Sequence, residues 1–320
     1  MKTILVTGGA GYIGSKVSYD LKDMGYKVII IDNLSTGYKK QIKNNFTFYK
    51  LDLKNYQKLV KTLKTFKIHA IFHFAGLTNV KESIKKKKKY YENNVISTIN
   101  VLKFLKKYKI NYLIFSSSAA VYGKQKSACV KESDLKKPLS NYGRNKLDCE
   151  IKIKKFAKDH NFKFAILRYF NVIGPDQKMR CGPIKRGSLF TNISNSIRLK
   201  NYSINIYGNN YKTKDGTAIR DFIDVNDLSK LHILSLKKIK NKSLVLNCGY
   251  NMGYSVLQVV KTFNKFLNKK IKYKFKSRRL GDIGKIYADN NLLKKNFPNW
   301  KRKFNLDKSI KNIIKWEKLI

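Results

Sequence analysis

Val6–Ser15, VTGGAGYIGS, follows the first apolar run of the chain and leads into a helical pattern. Its glycines satisfy G-x-G-x-x-G from Gly9 and the related G-x-x-G-x-x-G from Gly8, and both patterns end at Gly14. Glycines let such a loop turn tightly, so a pyrophosphate can approach the free N–H groups at the start of the following helix. Because glycine triplets occur in many turns, the residues around this one decide its meaning.

Two acidic residues end the next two predicted strands. The second strand, KVIIIDN, closes with Asp32, where a carboxylate can accept hydrogen bonds from both ribose hydroxyls of an adenosine. A carboxylate at this position would repel a 2′-phosphate, so NAD is favoured over NADP. Asp52 ends the third strand and is expected to meet the adenine. Together with the glycine loop, these acids predict a dinucleotide site.

Apolar strands alternate with helical segments through the first half of the chain. Six strands are predicted, in KTILVTGG, KVIIIDN, FTFYKLDL, AIFHFAG, YLIFSSSAAVYG and FKFAILRYFNVIG, with long helices over 82–107 and 141–160. This alternation predicts the α/β class, with a Rossmann-like doubly wound parallel sheet. The pattern loosens after Tyr169. We therefore expect an NAD-binding domain over 1–170, with a returning segment near 219–248, and a smaller C-terminal α/β substrate domain over 171–320.

Tyr142 and Lys146 form Y-x-x-x-K on a predicted helix, which puts both side chains on one face. A lysine beside a phenol stabilises the phenolate and is expected to lower the pKa of the tyrosine. Such a phenolate can take the proton of a sugar hydroxyl while hydride leaves the same carbon. The spacing also occurs from Tyr12 in the glycine loop and from Tyr122 at a strand exit. Only Tyr142 follows a strand that ends in the serine cluster 116–118, at the edge where open α/β sheets bind ligands.

The chain carries 69 Lys and Arg against 20 Asp and Glu, a formal net charge of +49. Lysines recur along the whole chain, and the run Lys85–Lys89 would circle a helix rather than line one side. They predict non-specific polyanion binding and no dedicated nucleic-acid partner. The scattered cysteines and histidines predict no metal site. An apolar strand from residue 3 and the lack of a membrane-length apolar run predict a cytoplasmic protein without a membrane partner.

These motifs together resemble the extended short-chain dehydrogenase/reductase superfamily, in particular its UDP-glucose 4-epimerase family. The resemblance covers nearly the whole chain in the order GGAGYIGS, DNLSTG, FAGL, YYENN, FSSSAAVYG, NYGRNK, LRYFNVIG, DGTAIRDFIDVNDL and RRLGD. It implies tightly held NAD and the interconversion of UDP-glucose and UDP-galactose. In that reaction C4 is oxidised, the 4-keto sugar rotates, and hydride returns to its other face. The resemblance also implies a homodimer.

The resemblance assigns roles to individual residues. The implied catalytic residues are Ser118, Tyr142 and Lys146, with Tyr142 taking the proton of the 4-hydroxyl. The residues implied to contact NAD are Gly8, Gly11, Tyr12, Ile13, Gly14, Asp32, Asn33, Asp52, Leu53, Phe74, Ala75, Gly76, Asn94, Ser116, Tyr142, Lys146 and Tyr169. The residues implied to contact the UDP-sugar are Ser118, Tyr142, Asn171, Ser188, Arg220, Arg279 and Asp282. Tyr90 and Tyr91, in YYENN, are implied to be packing residues.

Four positions depart from the family pattern. Thr78 stands where a lysine is frequent, Ala120 where a threonine is common, and Ser188 where an asparagine usually meets the diphosphate. At Ile286 a tyrosine would exclude N-acetyl groups and a small residue would admit them, so UDP-N-acetylglucosamine or another nucleotide sugar remains an alternative substrate. The alanines after the serine cluster argue against a 4,6-dehydratase, while decarboxylation and uronate epimerisation remain open. A more distant alternative is a weakly catalytic NAD-binding protein that associates with nucleic acid.

Overall fold

The computed structural model describes residues 1–43, 46–184, 187–279 and 281–319. Its strands are β1 Thr3–Thr7, β2 Lys27–Asp32, β3 Thr47–Lys50, β4 Ile68–His73, β5 Tyr112–Ser118, β6 Cys129–Val130, β7 Lys163–Tyr169, β8 Asn171–Ile173, β9 Ser203–Tyr207, β10 Ile219–Asp224, β11 Leu244–Cys248, β12 Gly253–Ser255, β13 Lys272–Lys276 and β14 Lys285–Ala288. Its α-helices are α1 Tyr12–Asp23, α2 Tyr56–Leu63, α3 Val80–Lys85, α4 Lys87–Tyr91, α5 Ser97–Lys107, α6 Asn141–His160, α7 Leu189–Arg198, α8 Val225–Lys238, α9 Val256–Asn264, α10 Asn291–Asn296 and α11 Leu306–Glu317.

The chain divides into two compact units. The first consists of Met1–Lys124, Asp134–Tyr169 and Ser229–Leu246, and the second of Gln125–Ser133, Phe170–Leu228 and Asn247–Ile320. The segment that returns to the first unit is therefore shorter than 219–248. A short stretch around β6 also belongs to the second unit, although it precedes α6 in the sequence.

The first unit is built around a seven-stranded sheet with the order β11-β7-β5-β4-β1-β2-β3. All pairings from β3 to β7 are parallel. The chain runs outward from β1 to β3 on one side and through β4 and β5 to β7 on the other, which is the doubly wound order. The predicted Rossmann-like sheet is confirmed. Because the order reverses at β1, the glycine loop that follows β1 lies at the switch point of the sheet.

The core of the first unit explains why these segments form these elements. Apolar side chains of β2, β5, α2, α5 and α6 pack into one cluster, whose fully buried members include Ile29, Ile31, Leu59, Leu63, Val101, Leu102, Phe115 and Ile153. The inner strands β1 and β2 are buried almost along their whole length, as expected when helices flank a parallel sheet, whereas the edge strand β3 has no buried residue. Burial on this scale fixes the position of α6 against the sheet.

The single helix predicted over 82–107 is wrong. Lys86 has φ −116 and ψ 54, outside the helical region, and separates α3 from α4. The chain then makes a π-helical turn over Glu92–Ile96 before α5 begins. Tyr90 is buried, as implied, whereas Tyr91 is 42% exposed and does not pack as expected.

The sixth predicted strand is two strands. β7 ends at Tyr169 and pairs with β5, while β8 begins at Asn171 and pairs with β10 in the second unit. Phe170 lies between them and is the first residue of the second unit's long segment.

The second unit contains a five-stranded sheet and a two-stranded sheet. The larger has the order β12-β10-β14-β6, with β8 also paired to β10, and in the smaller β9 and β13 are parallel. Its core is formed by side chains of α7, α9, α11 and these strands, among them Phe190, Ile193, Phe222, Val260, Phe263 and Ile310. Within the residues that the structure describes, no helix is both long and apolar enough to cross a membrane.

Candidate active site

The glycine loop follows β1. At two of its positions the neighbouring backbone lies so close that only a glycine fits. Gly8 has φ +71, and a Cβ at this position would lie 2.5 Å from Ala75 N. A Cβ on Gly14 would lie 2.3 Å from Gly8 O. α1 begins at Tyr12 with Gly11 as its N-cap, and Gly11 has no side chain to accept from the first N–H groups. These groups and the positive end of the helix dipole therefore favour an anion.

Asp32 is held at the edge of this loop by backbone donors. Its Oδ2 accepts from the N–H of Ala10 at 3.0 Å, and its Oδ1 accepts from the N–H of Leu34 at 2.8 Å. Burial raises the pKa of Asp32, and the two backbone hydrogen bonds oppose that rise. Asn33 Nδ2 donates to Asp52 Oδ2 at 3.3 Å, so the second predicted acid lies beside the first.

The segment FAGL, Phe74–Leu77, lies beside the glycine loop at the end of β4. The N–H of Phe74 donates to Thr7 O at 2.9 Å. Asn94, in the π-helical turn, uses its whole amide on this segment. Its Oδ1 accepts from the N–H of Leu77 at 2.7 Å, and its Nδ2 donates to Leu77 O at 3.0 Å. Asn94 therefore holds the backbone of the predicted NAD-contact residues.

Lys146 projects from α6 to the carboxyl end of β5. Its side chain is buried, and Nζ donates to Ser116 O at 2.6 Å. Nζ also lies 3.7 Å from the place where a Cβ on Gly76 would stand. Burial lowers the pKa of Lys146 to about 8. The ammonium form therefore predominates at neutral pH.

Tyr142 lies one helical turn before Lys146 and is 8% exposed. Its N–H donates to Ser83 Oγ at 3.2 Å, which fixes the first turn of α6. The expectation of a lowered pKa is wrong for the protein alone, since burial raises the pKa of Tyr142 while a hydrogen bond with Ser118 opposes that rise. The ring packs against Leu77 and Tyr90 in an apolar pocket, and this explains the strong effect of burial.

His73, at the end of β4, is a buried histidine that the sequence did not single out. Thr98 Oγ1 donates to Asn94 O at 2.6 Å, so it accepts from His73 Nε2, 2.9 Å away. His73 Nδ1 then accepts from the hydroxyl of Thr7 at 2.6 Å. Burial lowers the pKa of His73 to about 3, so the ring is neutral and joins β1 and β4 to the π-helical turn.

Tyr169 ends β7 with its hydroxyl 2.5 Å from His232 Nε2. The ring of His232 also lies 5.0 Å from the ring of Phe74. This histidine, on α8, therefore connects two residues that the resemblance places at NAD.

A buried ion pair lies on the face of α6 that carries Tyr142 and Lys146. Arg168 Nη2 lies 2.6 Å from Glu150 Oε2, and Arg168 Nε donates to Glu150 Oε1 at 2.9 Å. Both side chains are 1% exposed.

The second unit holds the predicted arginines in a cluster with tyrosines. Arg220 Nη2 lies 2.5 Å from Asp282 Oδ1, and the hydroxyl of Tyr211 donates to Asp282 Oδ2 at 3.3 Å. The guanidinium of Arg279 lies over the ring of Tyr207, 4.1 Å from its centroid. Planar cations and planar rings at one place suit a ligand that carries phosphates and an aromatic base.

The remaining predicted positions have other surroundings. Ser188 is the N-cap of α7, and its hydroxyl accepts from Thr191 N at 3.1 Å. Asn171 is an exposed residue of β8, while Ile286 is buried in β14 and pairs with Arg220 in register. Ala120 packs against the Tyr142 pocket, so a methyl group replaces the hydroxyl of the family's threonine. The further predicted NAD-contact residues Tyr12, Ile13 and Leu53 lie in the first turn of α1 and after β3.

Sequence reasoning missed the side chains that support this site. Glu150 is four residues after Lys146, so its position on the helix face was readable. The partners His73, His232 and Arg168 gave no comparable signal, because each becomes a neighbour of the site only through tertiary contacts.

The first unit fits NAD on its own geometry. The contacts at Gly8 and Gly14 leave room for backbone but none for a side chain, and the uncapped start of α1 offers N–H donors. Asp32 and Asn94 are fixed on either side of this loop, at the ends of β2 and FAGL. N–H donors at the start of α1 suit a dinucleotide's pyrophosphate, and the accepting carboxylate of Asp32 suits its ribose hydroxyls.

Comparison with known proteins agrees with this geometry. Residues 4–249 match the family "NAD dependent epimerase/dehydratase family". The chain is 37% identical to UDP-glucose 4-epimerase 1 of Oryza sativa subsp. japonica, over 99% of this chain and 94% of the relative. The crystal structure of UDP-glucose 4-epimerase from Bifidobacterium longum, in complex with NAD+ and UDP, superposes with a TM-score of 0.93 at 32% identity, covering 99% and 98% of the two chains. The UDP-Glc/GlcNAc 4-epimerase of Campylobacter jejuni superposes with a TM-score of 0.85 at 33% identity, covering 100% of each chain. The resemblance read from the sequence is thereby confirmed, and the chain belongs to the NAD dependent epimerase/dehydratase family and, within it, to the UDP-glucose 4-epimerases.

Proposed function

We propose that this protein interconverts UDP-glucose and UDP-galactose by NAD-dependent epimerisation at C4 of the hexose. The observation that carries the proposal is the arrangement at the carboxyl end of β5, where Tyr142 hydrogen-bonds with Ser118 and Lys146 donates to Ser116 O. A phenol, a hydroxyl and an ammonium group at one strand end are the groups that oxidation of a secondary alcohol requires. The protein is accordingly an isomerase.

Tyr142 is the residue to which we assign proton transfer. Because Ser118 hydrogen-bonds with the phenol, the proton of the 4-hydroxyl can reach the tyrosine directly or through the serine hydroxyl. The apolar pocket around the ring keeps water away from this transfer. When hydride is returned to the other face of C4, the same phenol returns the proton to the oxygen on C4.

Lys146 is assigned to holding the nicotinamide ribose and to supplying positive charge beside Tyr142. Its ammonium form is favoured below about pH 8 and is already directed by Ser116 O. A fixed cation one helical turn away favours the phenolate over the phenol. Bound NAD supplies the acceptor and donor of hydride, and its charged ring favours the same ionisation.

The other NAD contacts follow from positions in the first unit. We assign the pyrophosphate to the first turn of α1, at Tyr12 and Ile13, because the Gly11 N–H already donates to Gly8 O at 3.1 Å. The adenosine ribose is assigned to Asp32 and Asn33, and the adenine to Asp52 and Leu53. The further residues implied to contact NAD are Phe74, Ala75, Gly76, Asn94 and Tyr169.

The UDP moiety is assigned to the second unit. Arg220 and Arg279 have the planar, multiply donating groups that bind phosphate oxygens bidentately. Asp282, which accepts from Arg220 and Tyr211, can also accept from a ribose hydroxyl. Asn171 and Ser188 are assigned to the substrate as well, and the hydroxyl of Ser188 also accepts from Thr191 N at the start of α7.

A second candidate substrate is UDP-N-acetylglucosamine. Ile286 is smaller than the tyrosine that excludes N-acetyl groups, and it lies buried in β14 opposite Arg220. A similar protein, the Campylobacter jejuni enzyme, is described as a UDP-Glc/GlcNAc 4-epimerase. Comparing kcat/KM for UDP-N-acetylglucosamine with kcat/KM for UDP-glucose decides between the two substrates. Ile286→Ala should raise kcat/KM for UDP-N-acetylglucosamine relative to that for UDP-glucose.

The finer expectations from the sequence stay proposals. We infer that the lysine run has no dedicated nucleic-acid role, since Lys86 and Lys89 pair with Glu82 at 3.6 and 2.9 Å on the surface of α3 and α4. A homodimer, a cytoplasmic location and a role in galactose metabolism also remain predictions. Light scattering across a range of salt concentrations tests whether the protein is a homodimer.

The test of the main proposal is to add UDP-galactose to the purified protein without added NAD and to measure UDP-glucose. Product would support both 4-epimerisation and co-purified NAD. No product after NAD is supplied would contradict the proposal and direct attention to other nucleotide sugars, with Thr78, Ala120 and Ser188 as the first residues to restore to the family's types.

A further inference from the structure

We propose that the buried pair Glu150–Arg168 is a positioning device, which sets the place of Tyr142 and Lys146 relative to the carboxyl ends of β5 and β7. This inference rests on the proposed function, because it concerns the residues assigned to that chemistry. Glu150 and Arg168 would touch neither the sugar nor the cofactor and would act through α6.

The contacts of Glu150 join one helix to two strands. Its Oε1 accepts from the hydroxyl of Ser117 on β5 at 2.6 Å and from Arg168 Nε on β7 at 2.9 Å. Its Oε2 lies 2.6 Å from Arg168 Nη2. Arg168 Nη1 in turn donates to the hydroxyl of Tyr122 at 2.8 Å, in the turn that follows β5. A single carboxylate therefore fixes α6 to both strands and to the adjoining turn.

The geometry of the helix connects these contacts to the reacting groups. Tyr142, Lys146 and Glu150 are spaced by four residues, and each such step rotates the side chain by only about 40°, so the three form one stripe. Ser117 and Arg168 are partners in the register of β5 and β7, and the next pair in register is Ser118 with Tyr169. A shift of Glu150 would thus move α6 relative to the strand ends that carry Ser118 and Tyr169.

A buried ion pair is weak evidence for stability, because such pairs can often be replaced by apolar residues with little loss. The role inferred for this pair is therefore geometric. The fork of arginine and the two oxygens of glutamate permit a single relative orientation. Among titratable groups near Lys146, Cys149 and Glu150 on α6 raise its pKa against the effect of burial, and the neutral His73 faces it from β4.

The experiment compares Glu150→Gln and Arg168→Lys with Ile153→Ala, a matched control in the core beneath the same helix. All three should lower the thermal midpoint. At a temperature where every variant is folded, Glu150→Gln and Arg168→Lys should lower kcat by about 10²-fold, the effect expected of an ångström-scale misplacement, with KM for UDP-galactose nearly unchanged. In Glu150→Gln, the fall of kcat at alkaline pH should also begin at a lower pH, because the substitution removes a negative charge that raises the pKa of Lys146. In Arg168→Lys both charges are kept, so kcat should fall at the same alkaline pH as in the wild type.

A crystal structure of Glu150→Gln gives a reading that does not depend on turnover. A lengthened distance from Lys146 Nζ to Ser116 O, now 2.6 Å, supports the proposal. If this distance is unchanged, or if kcat and the pH profile match those of Ile153→Ala, the pair is only structural and the inference is overturned. Should the wild-type protein fail to epimerise, the proposed function falls, and the crystallographic distance alone decides the inference.

Discussion

Replacing Gly8 by alanine should weaken both the fold of the first unit and the retention of NAD. Gly8 has φ +71, where an alanine costs roughly 1–2 kcal/mol. The new Cβ would stand 2.5 Å from Ala75 N, whereas ordinary contacts begin at 3.4 Å, so the backbone must shift by about 1 Å. Overpacking of this kind costs about 1–3 kcal/mol, which gives an expected loss of about 2–5 kcal/mol. Gly25→Ala is the matched control, with φ +82 and open space around the added methyl group among the described residues, and it should cost only the strain of about 1–2 kcal/mol.

Thermal denaturation and the NAD released from each purified variant measure the two effects. The Gly8→Ala variant should melt at a lower temperature than Gly25→Ala and should carry less NAD per chain, because FAGL and the glycine loop would be displaced together. Equal melting temperatures with equal NAD content would show that the contact between Gly8 and Ala75 does not shape the site, and the reasoning would be refuted.

Three further predictions concern separate parts of the molecule. Tyr142→Phe should retain NAD while losing about 10²–10⁴-fold in kcat, and near-normal turnover in a UDP-galactose assay would exclude Tyr142 as the proton-transfer residue. Burial raises the pKa of Asp224 in the second unit to about 6 from an ordinary 3.8, so its protonation stabilises that unit fully below about pH 4 and the contribution is lost as pH rises through about 6. The melting temperature of Asp224→Asn should therefore depend less on pH between about 4 and 7 than that of the wild type. If both proteins show the same pH dependence, the pKa of Asp224 is not raised as stated. Polyanions bound to the lysine-rich surface should dissociate by about 1 M salt while NAD remains, and nucleic acid retained at that salt would argue for a dedicated site.

The residues that sequence reasoning found are those whose meaning is local. The glycine loop, Asp32, and the pair Tyr142 and Lys146 each lie within one turn or one strand end, so their spacing and the predicted strands beside them relate them to each other. The parallel order of the sheet also followed from the alternation of apolar strands with helices.

The features that it missed depend on tertiary contacts. Glu150 and Arg168 look like two more charges in a highly charged chain until β5 and β7 are placed side by side. The pKa of Tyr142 was expected to fall, yet burial raises it, because desolvation depends on the pocket and not on the neighbouring lysine alone. No glycine or proline stands at the divisions at Lys86 and Phe170, so no turn signal marked them.

The π-helical turn over Glu92–Ile96 has a consequence for how the chain can change in length. A π turn holds one residue more than the α-helical turn that it replaces. Loss of Glu92 or Asn93 would leave the residues of α4 and α5 in place, but it would rotate Asn94 by about 100° relative to α4 and withdraw its amide from Leu77. A deletion that an alignment would count as a harmless helix shortening would therefore open the FAGL backbone.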